Sequence, residues 1–149
     1  AWLDWTAGNF LSANLKTGIV KVWNASQKQP LESIRIHSDG ITSMHFASGS
    51  SRMICSGKDG SVIVYHMLKH QVEYVSSAGH TDTIFDCSIS TQNPNIFSTC
   101  SYDSTIKIWN LVDLSLRKTL YGAECIVYSC SWSPNSKRIV ASTISGNIL

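Results

Sequence analysis

Thr99, His80 and Asp103 supply a hydroxyl, an imidazole and a carboxylate, the three groups of a nucleophile triad. His66 and His70 are spaced HxxxH, which on a helix would turn two imidazoles toward one zinc ion. Asp4 and Asp86 fall in runs that read as equivalent strands, where two carboxylates facing each other would be the minimum for acid–base work. The run SGKDGS from Ser56 to Ser61 holds glycine and lysine but lacks the spacing of a phosphate loop, and reads as a hairpin turn. None of these sets is complete. The triad has no evident oxyanion hole, the carboxylates come without a histidine or nucleophile, and the HxxxH pair flanks a loop. The chain therefore reads as non-catalytic, with no catalytic residue, no cofactor and no metal site.

Composition narrows the partners. Twelve Lys and Arg against ten Asp and Glu leave a net charge of +2, with no run of like charge, so a nucleic-acid backbone has no electrostatic footprint to bind. A hydrophobic content of 43% suits a packed core. No apolar segment approaches the roughly 20 residues that span a bilayer, so no membrane contact is expected. The five cysteines, Cys55, Cys87, Cys100, Cys125 and Cys130, are odd in number and form no CxxC pair. That argues against a disulfide framework or a zinc site, and the thiols are expected to be buried, reduced and structural. An intracellular, cytoplasmic location follows from this. The chain starts at Ala1 with no charged-then-apolar leader, and is expected to be a piece of a longer protein.

The elements that position these residues repeat. Trp23, Tyr65 and Trp109 close equivalent runs 42 and 44 residues apart, while Trp5, Phe46, Ile89 and Trp132 close another set at steps of 41, 43 and 43. The turn positions Gly18, Gly60, Ser104 and Gly146 recur at 42, 44 and 42. A period in the low forties with β patterning throughout is that of a propeller blade. Strands are expected at residues 2–5, 10–13, 19–23 and 31–36, then 41–46, 53–57, 61–65 and 72–76. They continue at 84–89, 95–100, 105–109 and 116–120, then 127–132 and 138–143, with one more starting at 148. Gly18 supplies the positive φ its hairpin needs, and Pro30 stands just before a strand, where no ladder hydrogen bond is required of it. The blades are then approximately 1–36, 37–77, 78–121 and an incomplete 122–149.

The best copy runs from Gly79-His80 to Trp109-Asn110 and resembles the WD40 repeat, with Asn110 where that family usually has Asp. The resemblance covers essentially the whole chain. Three stretches are similar to one subgroup, WD repeat-containing protein 17, whose members are large intracellular proteins with two successive propellers. These are Val22-Trp23-Asn24 with Ser26-Gln27 and Pro30, Gly79-His80 with Ile84-Phe85-Asp86-Cys87, and Val127-Tyr128-Ser129 with Trp132 and Pro134. The family resemblance implies an all-β fold: a WD40-type β-propeller fragment of about three complete four-stranded antiparallel blades plus part of a fourth. It also implies a buried structural tetrad in which Asp103 accepts from the His80 ring, the Thr99 hydroxyl meets the other ring nitrogen, and Trp109 donates to that hydroxyl. Ser101 is the alternative hydroxyl. The other blades depart from the pattern and are expected to rely on apolar packing: Cys55 and Tyr65 in the second, Thr17 at the Asp position of the first, Ala123 and Ser145 in the fourth.

By the same resemblance, the loops entering each blade and the hairpins between its second and third strands cluster on one face, where partners dock. Lys58, Tyr102, Asp39, Asp82, Thr83 and Tyr128 are the candidate partner-binding residues there. The implied function is a non-catalytic scaffold presenting that face to other proteins or peptides within a larger intracellular protein or complex. An RNA- or DNA-binding adaptor is the alternative, weakened because Lys16, Lys21, Lys58, Lys107, Arg117 and Lys118 are scattered. Open ends expose apolar faces, so self-association is a further expectation, two copies of about three and a half blades closing a ring of roughly seven.

Overall fold

The computed structural model describes residues 9–47, 51–74 and 79–149, and every regular element among them is a strand. Strands β1 (Asn9–Ala13), β2 (Ile19–Asn24) and β3 (Glu32–Arg35) form a first antiparallel sheet. β4 (Ile41–Phe46), β5 (Arg52–Gly57), β6 (Val62–His66) and β7 (Gln71–Tyr74) form a second, and β8 (Ile84–Ile89), β9 (Ile96–Ser101), β10 (Ile106–Asn110) and β11 (Leu116–Leu120) a third. β12 (Val127–Trp132) and β13 (Ile139–Thr143) begin a fourth. Its third strand is under way where the chain ends, since Ala141 and Leu149 exchange backbone hydrogen bonds and Ser142 bridges Ile148. The strand expected at residues 2–5, with Asp4, lies outside the described residues.

Each hairpin turns where the repeat places it. Gly18, Gly60, Ser104 and Gly146 all hold positive φ, from 63° to 81°. Glycine reaches that region without a Cβ clash, and Ser104 is the one copy that reaches it with a side chain.

Strand alternation decides which sheet a side chain meets. In β6, Ile63 and Tyr65 face the first sheet while Val62 and Val64 face the third. In β9, Phe97 packs toward the second sheet and Cys100 toward the fourth. Three apolar clusters result, one between each pair of successive sheets, and the second and third sheets are covered on both faces. Near-continuous burial of β5 and β9 follows from that sandwiching.

The first strands of the last three sheets share a defect. The ladder shifts register between Ile41 and Ser43, between Ile84 and Asp86, and between Val127 and Ser129. Thr42, Phe85 and Tyr128, each 43 residues from the next, are thus the extra residues of three β-bulges, which bend a strand and re-aim a side chain.

Candidate functional site

Between the second and third sheets a chain of hydrogen bonds crosses the core. His80 Nδ1 lies 2.9 Å from Asp103 Oδ2, His80 Nε2 2.7 Å from Thr99 Oγ1, and Trp109 Nε1 donates to the same hydroxyl at 2.8 Å. The geometry fixes the proton positions. The carboxylate takes Nδ1–H, so Nε2 is the lone-pair nitrogen and accepts from the Thr99 hydroxyl, which in turn accepts from the indole. Thr99 and Trp109 are fully buried, and Trp109 stacks on Phe97 with ring centroids 6.2 Å apart. Ser101 instead donates to the carbonyls of Asp82 and Thr83 and accepts from Asp103 N–H, tying the hairpin to the loop that enters its own sheet.

Thr105 is a member that the sequence reading missed. Its hydroxyl donates to Asp103 Oδ1 at 2.7 Å, and Asp103 also accepts from the N–H groups of Thr81 and Thr105. Burial alone would raise the Asp103 pKa, but the Thr105 hydroxyl, the His80 ring and Thr81 N–H together hold it below the usual carboxylate value. Burial lowers the His80 pKa below its ordinary 6.5, outweighing the upward pull of Asp103. A histidine that resists protonation only when folded takes up a proton on unfolding, so its contribution is complete above about pH 6.5 and declines below. Stability is expected to fall between pH 7.5 and 5.5 in urea titrations, with a shallower fall in His80→Gln.

The network survives in pieces elsewhere, which corrects the expectation that the other repeats rest on apolar packing. In the first sheet Trp23 Nε1 donates to Ser12 Oγ at 2.8 Å, and Phe10 stacks on Trp23 at 6.1 Å, reproducing the indole half. In the second, His37 Nδ1 meets Asp59 at 3.0 Å and the Ser61 hydroxyl braces Asp59 at 2.6 Å, reproducing the imidazole half. Cys55 stands where Thr99 stands in the third sheet, and the buried His37 Nε2 has no hydrogen-bond partner. The missing signal was short-range: a hydroxyl two residues after the turn Asp, as in Asp59-Gly60-Ser61 and Asp103-Ser104-Thr105.

Asp86 links three sheets at their first strands. Ser43 donates to Oδ1 at 2.9 Å and Ser129 to Oδ2 at 2.7 Å, with the N–H groups of Cys87 and Cys130 adding to each oxygen. Its described partners are hydroxyl and amide donors, and the paired carboxylate Asp4 lies outside the described residues. The HxxxH residues also separate. They flank the loop between β6 and β7 as expected, but only His70 is exposed, meeting Glu32 of the first sheet at 3.0 Å, whereas His66 ends β6 half-buried with its Nδ1 unpartnered. Among the described residues no group of three or more His, Cys, Asp or Glu is placed to hold a metal ion.

Four thiols are buried, but Cys125 is not, which corrects the expectation for the set. It lines a cavity of about 510 Å³ between the loop at 122–125 and the hairpin at 143–147. The Ser145 hydroxyl 3.2 Å away lowers its pKa, while burial pushes the Cys87 thiol up to about 12 and raises Cys55 as well. Because the thiolate is the reactive form, one equivalent of iodoacetamide is expected to label Cys125 first, as read by peptide mass spectrometry.

The loops and hairpins named as partner-binding meet at one end of the sheets. Lys58 N–H donates to Gly40 O, Tyr102 N–H to Thr83 O, and Thr83 Oγ1 to Lys58 O. Phe85, on its bulge, lies 4.5 Å from the Tyr128 ring and 6.4 Å from the Tyr102 ring, centroid to centroid. Tyr102 and Tyr128 keep 49% and 45% of their surface exposed. Phe85 was missed by the sequence reading, since its projection depends on the bulge. Asp82 sits beside this cluster through the Ser101 contact to its carbonyl, whereas Asp39 lies one sheet away, against the Gly18 turn.

The family model for "WD domain, G-beta repeat" matches residues 28–66, 72–110 and 114–149, most of the chain. The chain belongs to the WD40-repeat family. The WD40 β-propeller domain of Doa1 superimposes with a TM-score of 0.83 at 17% identity, over 97% of this chain and 47% of that one. The propeller fold follows: the successive sheets are WD40 blades and their first strands line the axis. Among curated relatives, the guanine nucleotide-binding protein subunit beta of Oryza sativa subsp. japonica is 23% identical, over 91% of this chain and 50% of its own length. The U3 small nucleolar RNA-associated protein 15 homolog of Xenopus laevis is 30% identical over 69% of this chain and 20% of its own. Mouse Coronin-7 is 24% identical over 65% and 11%. The WD40 segment thus spans at most about half the length of these relatives. Among its described residues no helix is long and apolar enough to cross a membrane.

Proposed function

We propose that this WD40 segment is a non-catalytic scaffold, presenting the face built from the blade-entry loops and the inner hairpins to partner proteins inside a larger intracellular protein. One observation carries it: Phe85, Tyr102 and Tyr128 from two neighbouring blades form a partly exposed aromatic cluster on that face. Aromatic rings held rigidly and half-exposed are the side chains most enriched at protein-binding hot spots. The His80 network speaks for a structural role, because each of its polar groups is satisfied by the next and its hydroxyl is fully buried. A nucleophile would need access that Thr99 lacks.

The relative named for its small nucleolar RNA association keeps a nucleic-acid adaptor as the rival. Lys16 and Lys58 are the cations of the described hairpins on this face, too few to track a phosphate backbone. The test is affinity purification of the full-length protein beside a Tyr102→Ala/Tyr128→Ala variant, with and without nuclease. Specific proteins that survive nuclease and are lost from the variant are expected. Release of all partners by nuclease would favour the adaptor.

A further inference from the structure

The chemistry around the aromatic cluster narrows the partner, on the premise that the proposed face is the docking face. Bulges in β8 and β12 lift Phe85 and Tyr128 out of their ladders, and the hairpin of the third blade brings Tyr102 against Phe85 as well. Three rings from two blades therefore converge, and Tyr102 and Tyr128 stay about half exposed. Asp82 beside Tyr102 and Asp86 next to Phe85 form no ion pair with any lysine, arginine or histidine among the described residues, whereas Asp103, which follows Tyr102, is taken up by the His80 ring. Asp82 uses one oxygen on the N–H of Thr83, and Asp86 is held by hydroxyl and amide donors. Lys58, on the hairpin of the preceding blade, lies on this flank, where Thr83 Oγ1 donates to its carbonyl.

Aromatic faces attract cations through the ring quadrupole, and neighbouring carboxylates reinforce that attraction, whereas an acidic or purely apolar ligand would leave them uncompensated. We infer that the partner docks through an arginine or lysine side chain laid on the Phe85–Tyr102–Tyr128 cluster and bordered by Asp82. Arginine suits the site better, since its planar guanidinium stacks on rings and hydrogen-bonds a carboxylate at the same time. Lys58 then opposes the cation, which gives the inference a sign that a generic hydrophobic contact would not have.

The test uses the full-length protein and an oriented peptide library, followed by the best-selected peptide and its Arg→Gln counterpart in fluorescence anisotropy. Selection for arginine or lysine at one position is expected, with the Arg→Gln peptide bound roughly 10-fold more weakly. Tyr128→Leu and Tyr102→Leu, which change exposed rings, are expected to weaken binding by a similar factor without moving the melting midpoint. Asp82→Asn should weaken it less, and less still in high salt. Lys58→Glu should tighten it. Selection of acidic or uncharged peptides, no selection at all, or weaker binding by Lys58→Glu would each overturn the inference. The proposed function falls separately, if the Tyr102→Ala/Tyr128→Ala variant retains every protein that the full-length chain captures or if nuclease releases them all.

Discussion

Replacing Thr99 with valine is expected to lower stability by about 2–5 kcal/mol, far more than the loss of one exposed hydroxyl would. Valine keeps the shape, so little packing is lost. What is lost is the one group that both His80 Nε2 and Trp109 Nε1 use, at 2.7 and 2.8 Å, in a place fully closed to water. Two buried polar atoms are left unpaired, each costing about 1–3 kcal/mol. Thr99→Ser keeps the hydroxyl and should cost about 1 kcal/mol or less, chiefly from the lost methyl. Adding Trp109→Phe to Thr99→Val removes one of the orphaned groups, so the double mutant should be more stable than the sum of the single changes implies. Urea denaturation of the four proteins decides it. Equal midpoints for Thr99→Val and Thr99→Ser would show that the hydroxyl bonds contribute nothing net.

Gly18→Ala should be about as damaging, and for a different reason. Its φ of 64° already disfavours a side chain by about 1–2 kcal/mol. A Cβ there would also lie 2.1 Å from the carbonyl oxygen of His37 and 2.4 Å from that of Asp39, both backbone atoms that cannot swing aside. Relief requires the loop entering the second blade to move away from the first, so a total of about 2–5 kcal/mol is expected. The equivalent Gly60→Ala meets its nearest backbone oxygen at 3.0 Å and should cost less, and Gly146→Ala meets nothing within 4 Å and should cost only the φ term. Ser104 carries that φ term already, so Ser104→Gly should gain about 1 kcal/mol. Thermal melts of the series should therefore rank Gly18→Ala lowest and Ser104→Gly highest.

Local spacing carried the strand positions. The alternation in Ile63, Val64 and Tyr65 requires a strand with two buried faces, and the recurrence of Gly18, Gly60, Ser104 and Gly146 requires hairpins at fixed intervals. Both are short-range properties, set by side-chain period and by φ, and they are written into consecutive residues. The set His80, Thr99, Asp103 and Trp109 was legible only through the resemblance of that repeat to the WD40 pattern.

The sequence alone did not determine which partial networks persist or which side chains reach the surface. That Ser12 takes the Trp23 indole, that Ser61 and Thr105 brace their aspartates, and that His37 Nε2 is stranded opposite the Cys55 position depend on cross-strand register. One extra residue in a strand changes that register without changing composition. The bulges at Thr42, Phe85 and Tyr128 are the clearest case: they are invisible to a period-2 pattern, yet they turn two aromatic rings toward each other and toward solvent. Asp86 likewise reads as half of a carboxylate pair with Asp4 until neighbouring blades bring Ser43 and Ser129 to its two oxygens. The chain's own residues determined the blades, because hydrophobic period and turn chemistry act over a few residues. Packing of one blade on the next decided the face, because the groups that meet there come from segments about 43 residues apart and interact only once the sheets are stacked.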